Sequence, residues 1–328
     1  MAAKRFPVLY ITSSRIGDAV LSSGLLKTLV DEVPAARFTI VASALTAPLF
    51  AATPRLEELI VIEKKPGAGH WIGLWRRVRA RRWGLVVDLR GSAMARMLRS
   101  WRRAVKAKTA TPDHKVVEAA RLLKLEDRPP SPYLFTSEAI EAKALALTRG
   151  EGPILAVAPF ANWVGKTWPA ERFALVARQL LSRDGALAGG RLMVLGGPED
   201  QLVAEPVRAS VPRSRLIDLV GREGLLTCYA ALKHARLFIG NDSGLMHLAA
   251  AAGAPTLGLF GPSNEALYAP WGPLSRVVRG PRSVEELREA DPLFNQEICH
   301  MMDLPASSVL ARAEVLIEDS AAAFVCRT

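Results

Sequence analysis

Two charged side chains lie in loops where they could take part in a reaction. Asp18 comes shortly after the apolar run 8–12, and Lys166 stands near the end of the loop 159–169. A carboxylate in the first position could accept a proton from an attacking hydroxyl, or it could cap the helix that begins there. Lys166, followed by Thr167 and a proline-led helix start, could bind a phosphate, or it could be an ordinary solvent-exposed loop lysine.

A third loop, residues 196–200, has the composition of a nucleotide-binding turn. Gly196 and Gly197 allow a ligand to approach the backbone closely, because neither has a side chain. Glu199 or Asp200 could accept hydrogen bonds from ribose hydroxyls, as acidic residues do in other nucleotide-binding folds. The alternative is a turn with a helix cap, for which both acidic residues are suited.

The fourth loop, residues 240–247, leads from an apolar run into an alanine-rich helix. The amides of Ser243 and Gly244 would lie at the N-terminus of that helix, where a pyrophosphate could bind. Asp242 is well placed to cap the helix instead. His247 would lie one turn further along, on the face that either packs in the core or contacts a ligand.

None of these loops has the signature of a metal or dinucleotide site. Residues 13–18 contain one glycine rather than G-x-G-x-x-G, and Lys166 lacks the G-x-x-x-x-G-K-[ST] spacing. No D-x-D pair of the kind that holds Mg²⁺ occurs in them. We therefore expect neither a metal site nor a cofactor, and we assign the neutralisation of any bound diphosphate to Lys166 and to helix N-termini.

Alternating apolar runs and helical patterns place these loops at the ends of strands. The first half predicts strands at 8–12, 38–42, 59–62 and 85–89, with a helix at 18–30. The second half predicts strands at 154–158, 192–195, 216–217, 237–239 and 256–260, with helices at 170–181, 202–211, 225–233 and 244–252. Continuous apolar strands separated by helices indicate parallel sheets, whose ligands bind beyond the carboxyl ends of the strands.

A chain of 328 residues is long enough for two domains, and the pattern breaks near its middle. Segments 128–132 and 150–153 are rich in proline and glycine and enclose one predicted helix at 137–148. We place the junction near residue 150, giving domains 1–150 and 151–328, with a C-terminal helix that could cross back to the first domain. The predicted fold class is α/β, with two doubly wound Rossmann-like domains facing a central cleft.

Positive charge is concentrated in the first half of the chain. Residues 1–150 contain 26 lysines and arginines against 13 acidic residues, whereas the remainder contains 17 against 19. The first domain is therefore expected to meet an anionic partner, unless the charge serves only solubility. Segment 71–83 has the composition of an amphipathic helix, either packed on the sheet or lying at a membrane surface. The basic region continues through Arg96, Arg99, Arg102, Arg103, Lys106 and Lys108.

Cysteine usage and hydropathy favour a cytoplasmic protein. Cys228, Cys299 and Cys326 are odd in number and show no C-x-x-C spacing, which argues against a disulfide framework and against zinc. The N-terminus lacks the apolar stretch and cleavage site of a signal peptide. No uninterrupted apolar run approaches the ~18 residues of a membrane-spanning helix.

Taken together, the loops resemble those of the ADP-heptose:lipopolysaccharide heptosyltransferases, glycosyltransferase family nine. The resemblance spans nearly the whole chain, and the order N-D-S-G-L-M-H among the other segments makes it specific. The matching segments are Arg15-Ile-Gly-Asp18, Lys166-Thr-Trp-Pro169, Leu195-Gly-Gly-Pro-Glu-Asp200, Gly240-Asn-Asp-Ser-Gly-Leu-Met-His247, Gly258-Leu-Phe-Gly-Pro-Ser263 and Cys299-His-Met301.

The resemblance implies the GT-B fold and an inverting, metal-independent transfer of a heptose or related sugar from an ADP-activated donor. Asp18 would be the general base, and Lys166 would bind the donor diphosphate and stabilise the leaving group. Further donor-binding residues would be Thr167, Glu199 or Asp200 at the ribose, Asp242 at the sugar, the amides of Ser243, Gly244 and Leu245, and His247. Acceptor-binding residues would be Arg15, Gly17, Arg90 and Arg96.

The resemblance also implies that the first domain takes the anionic lipopolysaccharide core and the second takes the ADP-sugar. We expect a cytoplasmic monomer, peripherally associated with the inner-membrane surface, that does not bind nucleic acid. Two other functions stay open. The chain could be a GT-B transferase or epimerase acting on a different nucleotide sugar, or a non-catalytic nucleotide-binding protein that docks on acidic membranes.

Overall fold

The computed structural model describes residues 5–64, 66–107, 112–295 and 297–322. It divides the chain into two compact units, Met1–Ser137 and Glu138–Thr328. Lys108 of the predicted basic region and Cys326 lie outside the described residues.

Each unit is built on one sheet whose strand pairs are all parallel. The first sheet has the order β3-β2-β1-β4-β5 and the second the order β11-β10-β9-β6-β7-β8, which is the doubly wound arrangement that the sequence predicts. The strands are β1 Phe6–Ile11, β2 Ala36–Ala42, β3 Leu56–Val61, β4 Trp83–Asp88, β5 Ser100–Val105, β6 Ile154–Ala158, β7 Arg191–Val194, β8 Leu216–Asp218, β9 Leu237–Asn241, β10 Thr256–Phe260 and β11 Ser275–Arg279.

Helices connect most successive strands in both units, and the 3₁₀ helix Ala47–Phe50 connects β2 to β3. The α-helices are α1 Ile16–Leu21, α2 Ser23–Glu32, α3 Gly69–Val78, α4 Ala93–Arg96, α5 Lys115–Ala120, α6 Glu138–Thr148, α7 Ala170–Leu180, α8 Glu205–Arg208, α9 Leu225–Leu232, α10 Gly244–Ala251, α11 Glu265–Tyr268, α12 Val284–Ala290 and α13 Ala306–Asp319.

Each sheet has a point at which the strand order reverses. In the first sheet it lies between β1 and β4, and in the second between β6 and β9. A crevice forms at such a point because the connections leave in opposite directions, and ligands bind there at the carboxyl ends of the strands. The loop that leads to Asp18 follows β1, the loop with Lys166 follows β6, and Asp242 follows β9.

Several predicted elements differ from those in the structure. The predicted helix 18–30 is two helices, α1 and α2, which meet at Ser22, and the Ser22 hydroxyl donates to the carbonyl of Asp18 at 2.7 Å. Hydrogen bonds of this type compete with regular helix geometry. The predicted helix 202–211 shortens to the four residues of α8. Strands β5 and β11, each at one edge of its sheet, were not predicted.

The structural division falls before α6, whereas the sequence places the junction after it. Helix α6 belongs to the second unit, where it packs against α9 and its Lys143 pairs with Glu223 at 2.6 Å. The last helix, α13, packs on α7 and on strands β9–β11, so it completes the second unit's own core. The crossing to the first domain that the sequence analysis allows stays a prediction.

Candidate functional site

The reversal point of the second sheet brings together the loops after β6 and β9. Lys166 Nζ donates a hydrogen bond to the backbone carbonyl of Asp242 at 3.2 Å and another to its Oδ2 at 3.0 Å. Both side chains are mostly buried, at 19% and 9% exposure, so this pair is more strongly coupled than a surface ion pair. Lys166 is therefore not an ordinary solvent-exposed loop lysine.

Asp242 does not cap the helix that follows it. The N-cap of α10 is Ser243, and no side chain makes a capping hydrogen bond there. Instead the Asp242 carboxylate lies near two other side chains: its Oδ2 accepts from Lys166 Nζ, and its Oδ1 lies 3.9 Å from His247 Nε2. His247 is buried one turn into α10. The capping interpretation of Asp242 is therefore wrong, and its contact with a donor sugar stays a prediction.

The first turn of α10 offers hydrogen-bond donors next to Lys166. Ser243, Gly244 and Leu245 are partly exposed, and the first amides of a helix have no acceptor within the helix. The hydroxyl of Ser243 is buried and has no hydrogen-bond partner among the described residues. Helix N-termini favour anions through these amides and through the helix dipole. The structure thus places the predicted phosphate-binding group beside the predicted phosphate-binding lysine.

Asn241 and Trp168 position the lysine loop, and the sequence analysis assigned neither residue a role. Asn241 is fully buried at the end of β9, and its Oδ1 accepts from the amide of Trp168 at 3.0 Å. The Trp168 indole donates to the carbonyl of Leu304 at 2.9 Å. The sequence feature that could have pointed to this role is Asn241 itself, a side-chain amide at the carboxyl end of a strand and next to Asp242.

The Cys299–Met301 segment also lies against the lysine loop. The amide of His300 donates to the carbonyl of Gly165 at 3.2 Å, and the Cys299 thiol donates to the carbonyl of Thr167 at 3.2 Å. The Trp163 ring packs on His300 at 5.9 Å between centroids. Thr167 is held by these contacts with its hydroxyl bonded to the carbonyl of Trp163 at 3.0 Å. The segment therefore fixes the backbone on both sides of Lys166.

The two acidic candidates of the third loop have different environments. Asp200 Oδ2 accepts from the amide of Gly197 at 2.7 Å, so it caps the turn Pro198–Asp200, as the structural alternative expects. Burial raises the pKa of Asp200, the hydrogen bond from Gly197 lowers it, and the charge of Glu199 raises it. Glu199 is exposed. Of the two, Glu199 has the carboxylate that an incoming ribose could reach.

In the first unit, Asp18 lies in the first turn of α1 but does not cap it. The N-cap residue is Arg15, and no side chain makes a capping hydrogen bond at this end. Burial raises the pKa of Asp18, more strongly than the nearby charges of Lys106, Arg15 and Lys115 lower it, while Glu118 raises it further. A partly desolvated carboxylate with a raised pKa is a better proton acceptor than an exposed one.

Neighbouring loops hold the backbone that leads into α1. The Ser43 hydroxyl donates to the carbonyl of Ser14 at 3.0 Å, and the Thr46 hydroxyl donates to that of Ser13 at 3.2 Å. Both donors follow β2, the immediate neighbour of β1. The position of Asp18 is thus set by the strand order of the sheet.

The four expected acceptor-binding residues differ in their surroundings. Arg15 is exposed and Gly17 is half-buried, both at the start of α1. The Arg90 guanidinium lies over the Trp71 ring at 4.7 Å, and its amide donates to Asp88 Oδ1 at 2.8 Å. Arg96 is exposed at the end of α4. Asp88, buried at the end of β4, also accepts from the Ser92 amide and organises this loop.

Segment 71–83 is not one helix. Helix α3 ends at Val78, and Trp83 is a buried residue of β4. Leu74 and Val78 are buried in the first core, with Trp71 and Trp75 packed against its edge. The inner face of α3 therefore packs in the core, which is one of the two alternatives that the sequence analysis gives for segment 71–83. Its other face carries exposed Ile72, Arg76 and Arg77.

Neither a metal cluster nor a membrane-spanning helix occurs among the described residues. No group of three or more histidine, cysteine, aspartate or glutamate side chains is arranged to hold a metal ion. Among the same residues, no helix combines the length and apolar character needed to cross a membrane.

Comparison with known proteins gives consistent matches along the chain. Residues 74–295 match glycosyltransferase family 9 (heptosyltransferase). A lipooligosaccharide heptosyltransferase 2 of Haemophilus influenzae is 29% identical over 158 residues, 45% of this chain and 44% of that protein. A lipopolysaccharide heptosyltransferase 2 of Salmonella typhimurium is 24% identical over 357 residues, 95% of this chain and 99% of that protein.

Fold comparison agrees with the sequence matches. The structure of the Escherichia coli ADP-heptose LPS heptosyltransferase II superposes with a TM-score of 0.74 at 22% identity, covering 96% of this chain and 100% of the other. This likeness, with the two parallel-sheet units, confirms the predicted GT-B fold. Because the family match covers more than half of the chain, the protein belongs to glycosyltransferase family 9, the heptosyltransferases.

Proposed function

We propose that this glycosyltransferase moves a heptose from an ADP-activated donor to a sugar hydroxyl of the lipopolysaccharide inner core, with inversion and without a metal ion. The observation that carries the proposal is the Lys166–Asp242 pair at the N-terminus of α10. The relatives are named as lipopolysaccharide heptosyltransferases, and one similar structure is that of an ADP-heptose enzyme. Those names support the donor and the acceptor proposed here.

The second unit is proposed to bind the donor. Lys166 and the amides of Ser243, Gly244 and Leu245 would contact the diphosphate, and Asp242 and His247 would contact the sugar. Thr167, next to Lys166, would also contact the donor. The Glu199 carboxylate would accept hydrogen bonds from the ribose hydroxyls. When the bond between the anomeric carbon and the phosphate oxygen breaks, negative charge grows on the diphosphate. Each donor fixed in advance at such a charge contributes about 3 kcal/mol by analogy with oxyanion holes.

Asp18 is proposed as the general base of the reaction. The acceptor oxygen attacks the anomeric carbon from the face opposite the diphosphate, and its proton passes to the Asp18 carboxylate as the ADP leaves. Attack from the opposite face inverts the anomeric configuration. The raised pKa of Asp18, caused mainly by burial, suits this role because a more basic carboxylate accepts a proton more readily.

The first unit is proposed to bind the anionic acceptor and the inner-membrane surface from the cytoplasmic side. Arg15, Gly17, Arg90 and Arg96 would contact the acceptor. Exposed arginines on β5 and α3 would face acidic lipids, whose attraction is worth about 1 kcal/mol for each cation near the surface. We further propose that the enzyme works as a monomer and has no nucleic-acid partner.

The proposal is tested by product analysis with defined substrates. Purified enzyme is incubated with ADP-heptose and a lipopolysaccharide core acceptor in the presence of EDTA, and the products are analysed by mass spectrometry and anomeric NMR. We expect ADP and an acceptor heavier by one heptose with inverted linkage. Interconversion of nucleotide sugars without acceptor would indicate an epimerase. Nucleotide and vesicle binding without any product would indicate a non-catalytic docking protein.

Donor class is tested separately by thermal stabilisation. A ligand that binds only the folded protein raises its melting temperature according to its affinity. We expect ADP to raise it more than UDP, GDP or CMP at the same concentration. A selective effect of another nucleotide would contradict the proposed donor.

A further inference from the structure

An ion network centred on one buried glutamate lies in the first unit. Glu118 is 7% exposed, and its Oε1 accepts a hydrogen bond from Lys115 Nζ at 2.6 Å. Its Oε2 lies 3.4 Å from Lys106 Nζ. Lys106 follows β5, whereas Lys115 begins α5, so one carboxylate fixes ammonium groups from two different elements. The sequence analysis counted Lys106 only as part of a basic surface and did not single out Glu118.

This network acts on Asp18 because α1 packs against α5. The charged groups that influence Asp18, among the described residues, are Lys106, Arg15, Lys115 and Glu118. Arg15 comes from the loop before α1, and the other three come from the network. Helix α2, which continues from α1, adds no charged group to this set of described residues.

The charges of the network do not cancel. One glutamate offsets one of the two ammonium groups, which leaves one positive charge for the carboxylate of Asp18. The two lysines also lower the pKa of Glu118, although burial by itself would raise it, so the glutamate stays ionised and keeps them in place. A carboxylate without such cations would take up a proton when its remaining water is displaced.

We propose that Lys106 and Lys115, held by Glu118, are positioning residues that keep the Asp18 carboxylate ionised when a bound acceptor removes water from it. The inference rests on the proposed role of Asp18 as the base. It explains how a carboxylate can be desolvated enough to be basic and still be charged at the start of each turnover. The lysines need not touch the reacting atoms for this effect, because it acts through the Asp18 carboxylate.

The experiment measures the ionisation of Asp18 directly. The full chain is labelled with ¹³C at the aspartate carboxyl groups, and the Asp18 resonance is assigned from its absence in Asp18→Asn. We expect Lys115→Met to shift the Asp18 titration to higher pH, and Lys115→Arg to leave it close to that of the wild type. The acidic limb of the kcat/KM profile should move in the same direction. Lys27→Met, at a partly exposed lysine paired with Asp31, serves as the charge-matched control.

The outcomes separate this inference from the proposed function. If Asp18→Asn keeps wild-type turnover, the base assignment fails, whatever the titration shows. If Asp18→Asn is inactive but Lys115→Met leaves both the titration and the acidic limb at the wild-type pH, the inference is overturned. Should Lys115→Met fail to fold, Lys106→Met is judged by the same two measurements, since Lys106 is 42% exposed and tolerates replacement more easily.

Discussion

The ammonium group of Lys166 is bound twice by Asp242, through the backbone carbonyl at 3.2 Å and through Oδ2 at 3.0 Å. The two residues are 76 positions apart and meet because β6 and β9 are neighbours. An ammonium has three donors, so these two bonds leave one for a ligand. The pair also places an ammonium group, whose charge the Asp242 carboxylate partly offsets, beside the N-terminus of α10, where the helix dipole is positive. Both features favour an anion at this point.

Replacement of Lys166 tests whether that charge acts on the leaving group. We expect Lys166→Ala to lower kcat by about 10²–10³, the effect of removing one preorganised donor from a developing negative charge. Steady-state kinetics with a saturating donor would measure it. Arg183→Ala removes an equal charge from an exposed loop of the same unit and should leave kcat unchanged. Equal losses in both variants would show that only net charge matters.

The sequence predicted the positions of the site loops because the central strands are continuous and apolar. The 154–158 and 256–260 predictions match β6 and β10, and the loops with Lys166 and Asp242 follow from the strand ends. It did not predict β5 and β11, because charged residues such as Arg102 and Arg276 interrupt the apolar pattern along both strands.

Pairing between distant residues could not be derived from the sequence. The hydrogen bond from the Trp168 amide to Asn241 depends on the register of β6 with β9. The network of Glu118 depends on the packing of α5 near the end of β5, and its sequence shows only a Lys-x-x-Glu spacing that is ordinary on helices. The sequence could not decide whether Asp18, Asp200 and Asp242 cap helices or turns. Of the three, Asp200 alone makes a cap.

Asp18→Asn is expected to stabilise the protein while removing most of its activity. The pKa of Asp18 is raised, mainly by burial, so the folded protein binds this proton more tightly than the unfolded chain does. Stability therefore falls as pH rises from the unfolded pKa through the folded pKa, and the full cost is present at neutral pH. Asparagine avoids that cost, and loss of a general base lowers turnover by about 10²–10⁴.

Thermal unfolding at two pH values checks the stability part of this prediction. At pH 7 the melting temperature of Asp18→Asn should exceed that of the wild type. At a pH below the ordinary aspartate range the difference should disappear, because Asp18 is then protonated in both states. A lower melting temperature at pH 7 would mean that the carboxylate makes a net stabilising contribution.

Chelation is expected to leave the transfer rate unchanged. Lys166 and the amides of α10 supply the positive charge that a divalent ion would otherwise bring to a diphosphate. The rate after dialysis against EDTA should equal the rate in added MgCl₂. If activity is lost on dialysis and returns with one particular metal ion, the metal-independent mechanism is wrong.

Charge reversal at the start of β5 tests the proposed membrane-facing surface. Arg99 and Arg102 are exposed and form no ion pair with another described residue. The double variant Arg99→Glu and Arg102→Glu should weaken binding to vesicles with acidic lipids by at least tenfold, given about 1 kcal/mol for each cation. Sedimentation with acidic and with neutral vesicles measures the difference. Unchanged sedimentation with acidic vesicles would place the membrane contact elsewhere.

Substitutions of Trp168 test which contacts hold the loop that contains Lys166. The ring is fully buried against Phe173 at 4.8 Å between centroids, and its indole donates to the carbonyl of Leu304. Trp168→Phe removes that bond, but Arg172 still donates to the same carbonyl at 2.7 Å. The acceptor therefore stays paired, and we expect a loss of only about 1 kcal/mol in the free energy of unfolding.

Trp168→Ala, by contrast, should cost about 3–5 kcal/mol because it leaves a cavity in the core. Urea unfolding gives both values. In Trp168→Phe the backbone bond from residue 168 to Asn241 is retained, so the position of Lys166 and hence kcat should be close to wild type. A fall in kcat as large as that of Lys166→Ala would show instead that the indole contact with the 299–304 segment, rather than Asn241, holds the lysine in place.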